Sequence, residues 1–159
     1  MVKRTDMKYL FAFASIVLFY SCASDDEVKQ TFNLWEGPMI TFEKEVGADP
    51  NDSLSQDRIT DAVWITRGNS GGQIYNIAAE ADATKSTSPE GTRWAEGTLS
   101  EVETLTFTSF REAVGMPKNS IGKQLVMHLE EADVYLGVEF TSWSSGQSGG
   151  FSYMRTTEN

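Results

Sequence analysis

"VYLGVEFTSW" (Val134–Trp143) alternates strictly over its first eight residues: Val134, Leu136, Val138 and Phe140 fall on one side of an extended chain, and Tyr135, Gly137, Glu139 and Thr141 on the other. A two-residue period of this length predicts a strand with one buried face, and the same phase puts Trp143 opposite Val138 and Phe140. "KQLVMHL" (Lys123–Leu129) precedes it across the turn "EEAD", and "FSYMRTT" (Phe151–Thr157) follows across the loop "SSGQSGG" (Ser144–Gly150). Three strand patterns joined by short turns make an antiparallel meander with one apolar face.

Shorter strand patterns lie upstream: "PMITFEKEV" (Pro38–Val46), "AVWITR" (Ala62–Arg67), "QIYNIAAE" (Gln73–Glu80), "RWAEG" (Arg93–Gly97) and the start of "ETLTFTSF" (Glu103–Phe110). Polar segments with Gly and Pro, "GADPNDSLSQD" (Gly47–Asp57) and "KSTSPEGT" (Lys85–Thr92), read as loops. One helical turn or two is expected over Ser109–Gly115, with Ser109 as N-cap, Glu112 in the capping-box position and Gly115 as terminator. The fold class is therefore all-β, an antiparallel sandwich or jelly-roll-like, with at most one short helix. At 159 residues, 40% hydrophobic, the chain can form one packed domain.

The amino terminus reads differently. Lys3, Arg4 and Lys8 precede the 12-residue apolar stretch "YLFAFASIVLFY", too short to span a bilayer and suited to a secretory leader. Ser21 and Cys22, the only cysteine, follow. The pair resembles the lipobox of bacterial lipoproteins, which implies cleavage before Cys22 and its acylation. The acidic run Asp25-Asp26-Glu27 resembles the surface-export signal of Bacteroidetes lipoproteins and also suits a solvated tether. The expected organisation is a leader over 1–21, a tether over 22–37 and a β-rich domain over 38–159, lipid-anchored at the outer membrane and surface-exposed.

Removing residues 1–21 takes three basic side chains from 13 and one acidic from 23, leaving a net charge near −12. A chain this acidic repels phosphate backbones, so a nucleic-acid partner is not expected.

Two loops, "GNSGG" (Gly68–Gly72) and "GQSGG" (Gly146–Gly150), match the G-x-S-x-G pattern around many catalytic serines. A nucleophile elbow needs a strand–turn–helix and a histidine placed by an acid. Ser70 and Ser148 each lie between two strand patterns, and the single histidine, His128, sits in mid-strand. Glycine-rich turns closing hairpins account for both loops.

Asp49, Asp52, Asp57 and Asp61 offer hard oxygen ligands that suit Ca²⁺, or form a solvated acidic loop; the EF-hand spacing fails at Leu54 and Thr60. No other cofactor is expected. "DSL" (Asp52–Leu54) resembles a short O-glycosylation motif of secreted Bacteroidetes proteins. Trp64, Trp94 and Trp143 either form a sugar-stacking platform or pack in the core, and Trp143 beside its glycine- and serine-rich loop is the best contact candidate.

"VWITRGNSGGQIYNIAAE", "SPEGTRWAEGT", "LTFTSF" and "VMHLEEADVYLGVEFTSWSSGQSGGFSYMRTT" together resemble an uncharacterised domain recurring in secreted bacterial proteins beside sorting tags or anchors. The likeness covers about Val63 to Thr156. It implies that His128, Asp133, Tyr135, Trp143, Phe151, Tyr153 and Arg155 belong to a shared pattern and that "GQSGG" is a hairpin loop, and it implies no activity. The expected function is a non-catalytic module binding glycan or protein, with Trp143, Tyr135, Tyr153, Arg155 and His128 as ligand-binding candidates. The alternatives are an assembly subunit of an envelope complex and a serine hydrolase.

Overall fold

The computed structural model describes residues 31–159; the leader, Cys22 and the acidic run Asp25–Glu27 lie outside the described residues. The larger of two sheets contains β1 (Asn33–Trp35), β2 (Ile40–Lys44), β6 (Thr92–Glu96), β7 (Gln124–Leu129), β8 (Val134–Trp143) and β9 (Phe151–Arg155). Its order is β2-β9-β8-β7-β6, with β1 beside β8. The smaller sheet is β3 (Asp57–Arg58), β4 (Trp64–Arg67) and β5 (Ile74–Asn76), in that order. Every pairing is antiparallel except β1 with β8. The fold is all-β, and no helix among the described residues is long and apolar enough to cross a membrane.

The expected meander is β7-β8-β9, and its apolar phase is the inner one. Leu136, Val138 and Phe140 of β8 meet Leu125, Met127 and Leu129 of β7, and across the core they meet Ile65 of β4 and Ile74 of β5. These side chains are almost fully removed from water. Burial of this kind is the main stabilising term, about 1.5–3 kcal/mol per large side chain.

The helix forms where its caps predict it. In α1 (Phe110–Val114) the Ser109 hydroxyl accepts from the Glu112 N–H, and the Glu112 carboxylate accepts from the Ser109 N–H. The bond from the Ser109 N–H, with a second from the Ser109 hydroxyl, holds the Glu112 carboxyl below its ordinary value. Gly115 closes the turn at φ 80°, where a side chain would be strained. Phe110 and Val114 bury the inner face of this one turn.

Two expectations need correction. The sheet takes in β1, Asn33–Trp35, which lies ahead of the expected start of the domain at Pro38. Leu34 of β1 packs on a cluster on the outer face of the large sheet, while Trp35 packs on the inner core. One three-residue strand thus plugs both layers, filling the stretch of β8 that β9 leaves unpaired. The second correction is over Glu103–Phe110, where only Thr108 bridges a strand, at Trp94. Leu99–Thr104 is a 3₁₀ helix instead. Leu99, Val102 and Leu105 recur at three-residue spacing, the period of a 3₁₀ turn, and cover the outer face of the sheet.

Candidate functional site

Three strands end in a cation on their inward phase. Lys44 follows Phe42 in β2, Arg67 follows Ile65 in β4, and Arg155 follows Phe151 and Tyr153 in β9. Their exposures are 1%, 2% and 6%. Charges so buried are costly unless paired, so each must be accounted for.

Arg155 is paired. Its Nε and Nη2 donate to the two oxygens of Asp57 at 2.7 and 2.9 Å, and the Tyr153 hydroxyl donates to Asp57 Oδ2 at 2.6 Å. Burial works against the Arg155 charge, but the Asp57 carboxylate outweighs it and holds the guanidinium above its ordinary value. Burial, then the neighbouring Asp57 charge, pushes the Tyr153 phenol well up. This cluster staples β3 of the small sheet to β9 of the large one.

Lys44 and Arg67 have no carboxylate partner among the described residues. They lie at the other end of the sandwich, where the two glycine-rich loops interlock. Lys44 Nζ donates to the Ala48 carbonyl and to Asn69 Oδ1. Arg67 donates from Nε to the Gly72 carbonyl and from Nη1 to the carbonyls of Ser144 and Gly150. Burial lowers the Lys44 ammonium, and the Arg67 charge lowers it further; burial also lowers Arg67. The loops close so tightly that a Cβ on Gly149, at φ +66°, would meet Asn69 Oδ1 and the Gly68 carbonyl oxygen. Glycine is there for that approach and for its backbone angle.

Trp143 belongs to this end, but on the opposite face from the expected one. The register slips between Phe140, which faces Tyr153, and Ser142, which faces Ser152. Thr141 is the extra residue of a β-bulge, and the hydroxyls of Thr141 and Ser142 both bond the Ser152 hydroxyl. One inserted residue reverses the phase beyond it. Trp143 therefore turns inward, against Phe110, Phe140 and Phe151 at centroid distances of 6.2, 5.8 and 6.1 Å. The Arg67 guanidinium lies over its ring at 4.3 Å. With its ring so covered, the indole is no open stacking platform.

Beside the indole opens a groove of about 390 Å³, lined by Arg67, Arg111, Met116, Lys118, Trp143 and Ser145 among others. Its size suits a small ligand. A larger hollow, about 610 Å³, lies at the opposite end by Thr60, Asn76 and Leu129. There the buried Asn76 amide is already committed to the carbonyls of Ala62 and Glu90. The smaller groove holds the uncompensated charge and is the better candidate.

No family model, curated protein or solved structure matches this chain.

The five expected contact residues do not form one site. His128 and Tyr135 are cross-strand partners on the outer face of the large sheet, stacked at 4.2 Å and nearly parallel. Phe107 packs edge-on to both. His128 Nε2 bonds Asp133 Oδ1 at 2.9 Å. Trp143 is eight positions further along β8, about 26 Å away. Tyr153 and Arg155 are core residues committed to Asp57, and they line neither hollow.

The serines and aspartates are likewise dispersed. Ser148 donates to the Ser145 carbonyl, Ser70 is an exposed loop residue, and neither bonds a histidine among the described residues. Asp49 accepts from the Asn51 backbone and amide, which lower its carboxyl; Asp52 caps the turn at Leu54; Asp57 pairs with Arg155; Asp61 lines the larger hollow. Among the described residues no three His, Cys, Asp or Glu side chains gather to hold a metal.

Arg67, Arg111 and Lys118 are not among the expected contact residues. A signal was present for Arg67: it follows Ile65 on the core phase of "WITR", a place where a cation needs a reason.

Proposed function

We propose that this protein is a non-catalytic binding module, held at the outer membrane by a lipid on Cys22, that takes a glycan in the groove beside Trp143. The observation that carries the reading is the groove itself, built on rigid strand ends and walled by an indole that packing holds in place. Binding sites of this kind are loops and side chains presented by a stiff scaffold. Ser145 and Gly146 are exposed at its rim and leave room for a ligand to approach the backbone. Support for the membrane link is the apolar leader ending at Ser21-Cys22 and the acidic residues behind it.

Two experiments test the two halves. On a glycan array the full-length protein should be retained on a defined set of sugars, and Ser145→Trp, which fills the rim, should abolish retention without moving the melting temperature. Retention unchanged in Ser145→Trp places binding elsewhere and ends the groove reading. Cys22→Ala should move the protein out of the membrane fraction or leave it unprocessed; normal processing with normal membrane partition would rule out the lipid anchor.

A second reading, an envelope assembly subunit, has one specific observation behind it. Met39, Ile40 and Val46, on and beside edge strand β2, are 50%, 41% and 68% exposed. A co-purifying protein lost in Ile40→Lys would favour that reading.

A further inference from the structure

We infer that the groove recognises an acidic sugar, whose carboxylate or sulfate is received by Arg67, Arg111 and Lys118; this rests on the glycan-binding reading and specifies its ligand. The starting point is Arg67. Carbonyl dipoles satisfy its Nε and Nη1, but no carboxylate neutralises it, and among the described residues its Nη2 has no acceptor. The guanidinium is pinned by those bonds and by the indole beneath it, so it cannot swing out to find a partner. An acceptor has to come to it, through the groove it lines.

Arg111 repeats the pattern. The first turn of α1 sets its backbone, its Nε is buried, and that nitrogen has no acceptor among the described residues. A buried donor left without a partner is destabilising, and the half-buried Arg111 side chain lines the groove, where its guanidinium can take a ligand oxygen. Lys118, exposed at the mouth, adds a third cation. None of the lining side chains is acidic.

The rest of the chain narrows the anion. Beyond residue 21 acidic side chains outnumber basic ones 22 to 10. A long polyanion laid across such a surface meets net repulsion, which disfavours nucleic acid and polyphosphate. A compact, singly charged group entering the groove escapes most of it. A sugar suits the remaining walls. Among the described residues the Trp143 indole N–H has no acceptor, Ser145 offers a hydroxyl, and Met116 and Pro117 give an apolar side. A peptide is less suited. Arg67 and Trp143 are each strand-paired on one side only, to Ile74 and Phe151, but the lining offers side-chain cations and an indole N–H rather than a row of free backbone groups, and an acidic peptide is the alternative that the test separates.

The test is calorimetry on the detergent-solubilised full chain with six probes: oligosaccharides of glucuronic and of galacturonic acid, their neutral glucose and galactose counterparts, a sulfated galactose oligomer, and an Asp/Glu-rich peptide. At least one acidic sugar should bind, its neutral counterpart about tenfold more weakly or worse, with affinity falling as salt rises. Arg111→Gln and Lys118→Ala should each weaken acidic-sugar binding about tenfold with the melting temperature unchanged, the effect of one charge-assisted hydrogen bond. Arg67→Gln would not discriminate, because Arg67 also holds the loops together. Equal affinity for acidic and neutral sugars overturns this inference and leaves glycan binding standing. Binding of the acidic peptide alone, or acidic-sugar binding indifferent to both variants, overturns it as well. Absence of binding to any sugar here and on the array overturns both readings.

Discussion

Asp57→Ala is expected to lower folding stability by about 3–5 kcal/mol, because it leaves the Arg155 guanidinium buried without its counter-charge and the Tyr153 hydroxyl without its acceptor. Chemical denaturation followed by tryptophan fluorescence reads this directly. A loss below about 1 kcal/mol would mean that water or another group reaches Arg155 easily, and the staple between the sheets would contribute little. Asp57→Asn keeps the shape and an acceptor but not the charge, so it should fall between wild type and Asp57→Ala. The same cluster sets the alkaline limit. The raised phenol of Tyr153 keeps its proton in the fold after the unfolded phenol has lost it. Its contribution is complete below the unfolded value, about 10, and drains away as pH rises from there towards the folded value. Burial raises the phenols of Tyr75 and Tyr135 as well, while the lowered Lys44 works in the opposite sense. Three tyrosines against one lysine make stability fall above about pH 10, and Tyr153→Phe should flatten that fall.

Trp143→Ala should lower stability by about 3 kcal/mol, in the range of large aromatic truncations, and lower the melting temperature by roughly 10 °C. The indole packs against Phe110, Phe140 and Phe151 and carries the Arg67 guanidinium on its ring. Losing it leaves a cavity and exposes a charge that had a π face for a partner. A melting temperature within a degree or two of wild type would show that Trp143 is a surface contact after all, and the inward packing would be wrong. Thr141 gives an independent handle. Its deletion removes the bulge, returns the strand to strict alternation and should eject the indole from the core, with a similar penalty.

The meander was legible because Leu125, Met127, Leu136, Val138 and Phe140 repeat at a period of two with polar residues between them, and sheets bury one face. The helical turn was legible because Ser109, Glu112 and Gly115 each supply a local bond or backbone angle. The orientation of Trp143 was not. Nothing in "FTSW" announces that Thr141 will be skipped, and the slip is settled by the partner strand, where a single Ser152 hydroxyl meets two others. β1 was passed over because three residues give no periodicity; its place depends on a gap in β8 that exists only in three dimensions. The aspartates misled for a related reason. Asp57 reads like its neighbours in a polar loop, and only the fold brings it to Arg155, 98 positions along the chain. The groove cations were hidden by the same kind of distance, since Arg67 ends β4 while Arg111 and Lys118 belong to a later segment.

The way β1 is fastened governs how the domain bears tension. Whatever pulls on the residues ahead of Thr31 reaches the sandwich first through three paired positions, Asn33 to Trp35, lying alongside β8. The next ties run to the other end of the chain: the Glu36 N–H bonds the Asn159 side chain, the Gly37 N–H bonds the Thr157 carbonyl, and Pro38 accepts from the Thr157 hydroxyl. Entry and exit of the polypeptide are thus knotted together at one seam. Force on the leading end loads β1 first and these ties behind it, so that without Thr157 and Asn159 the peeling of β1 would run straight on to β2.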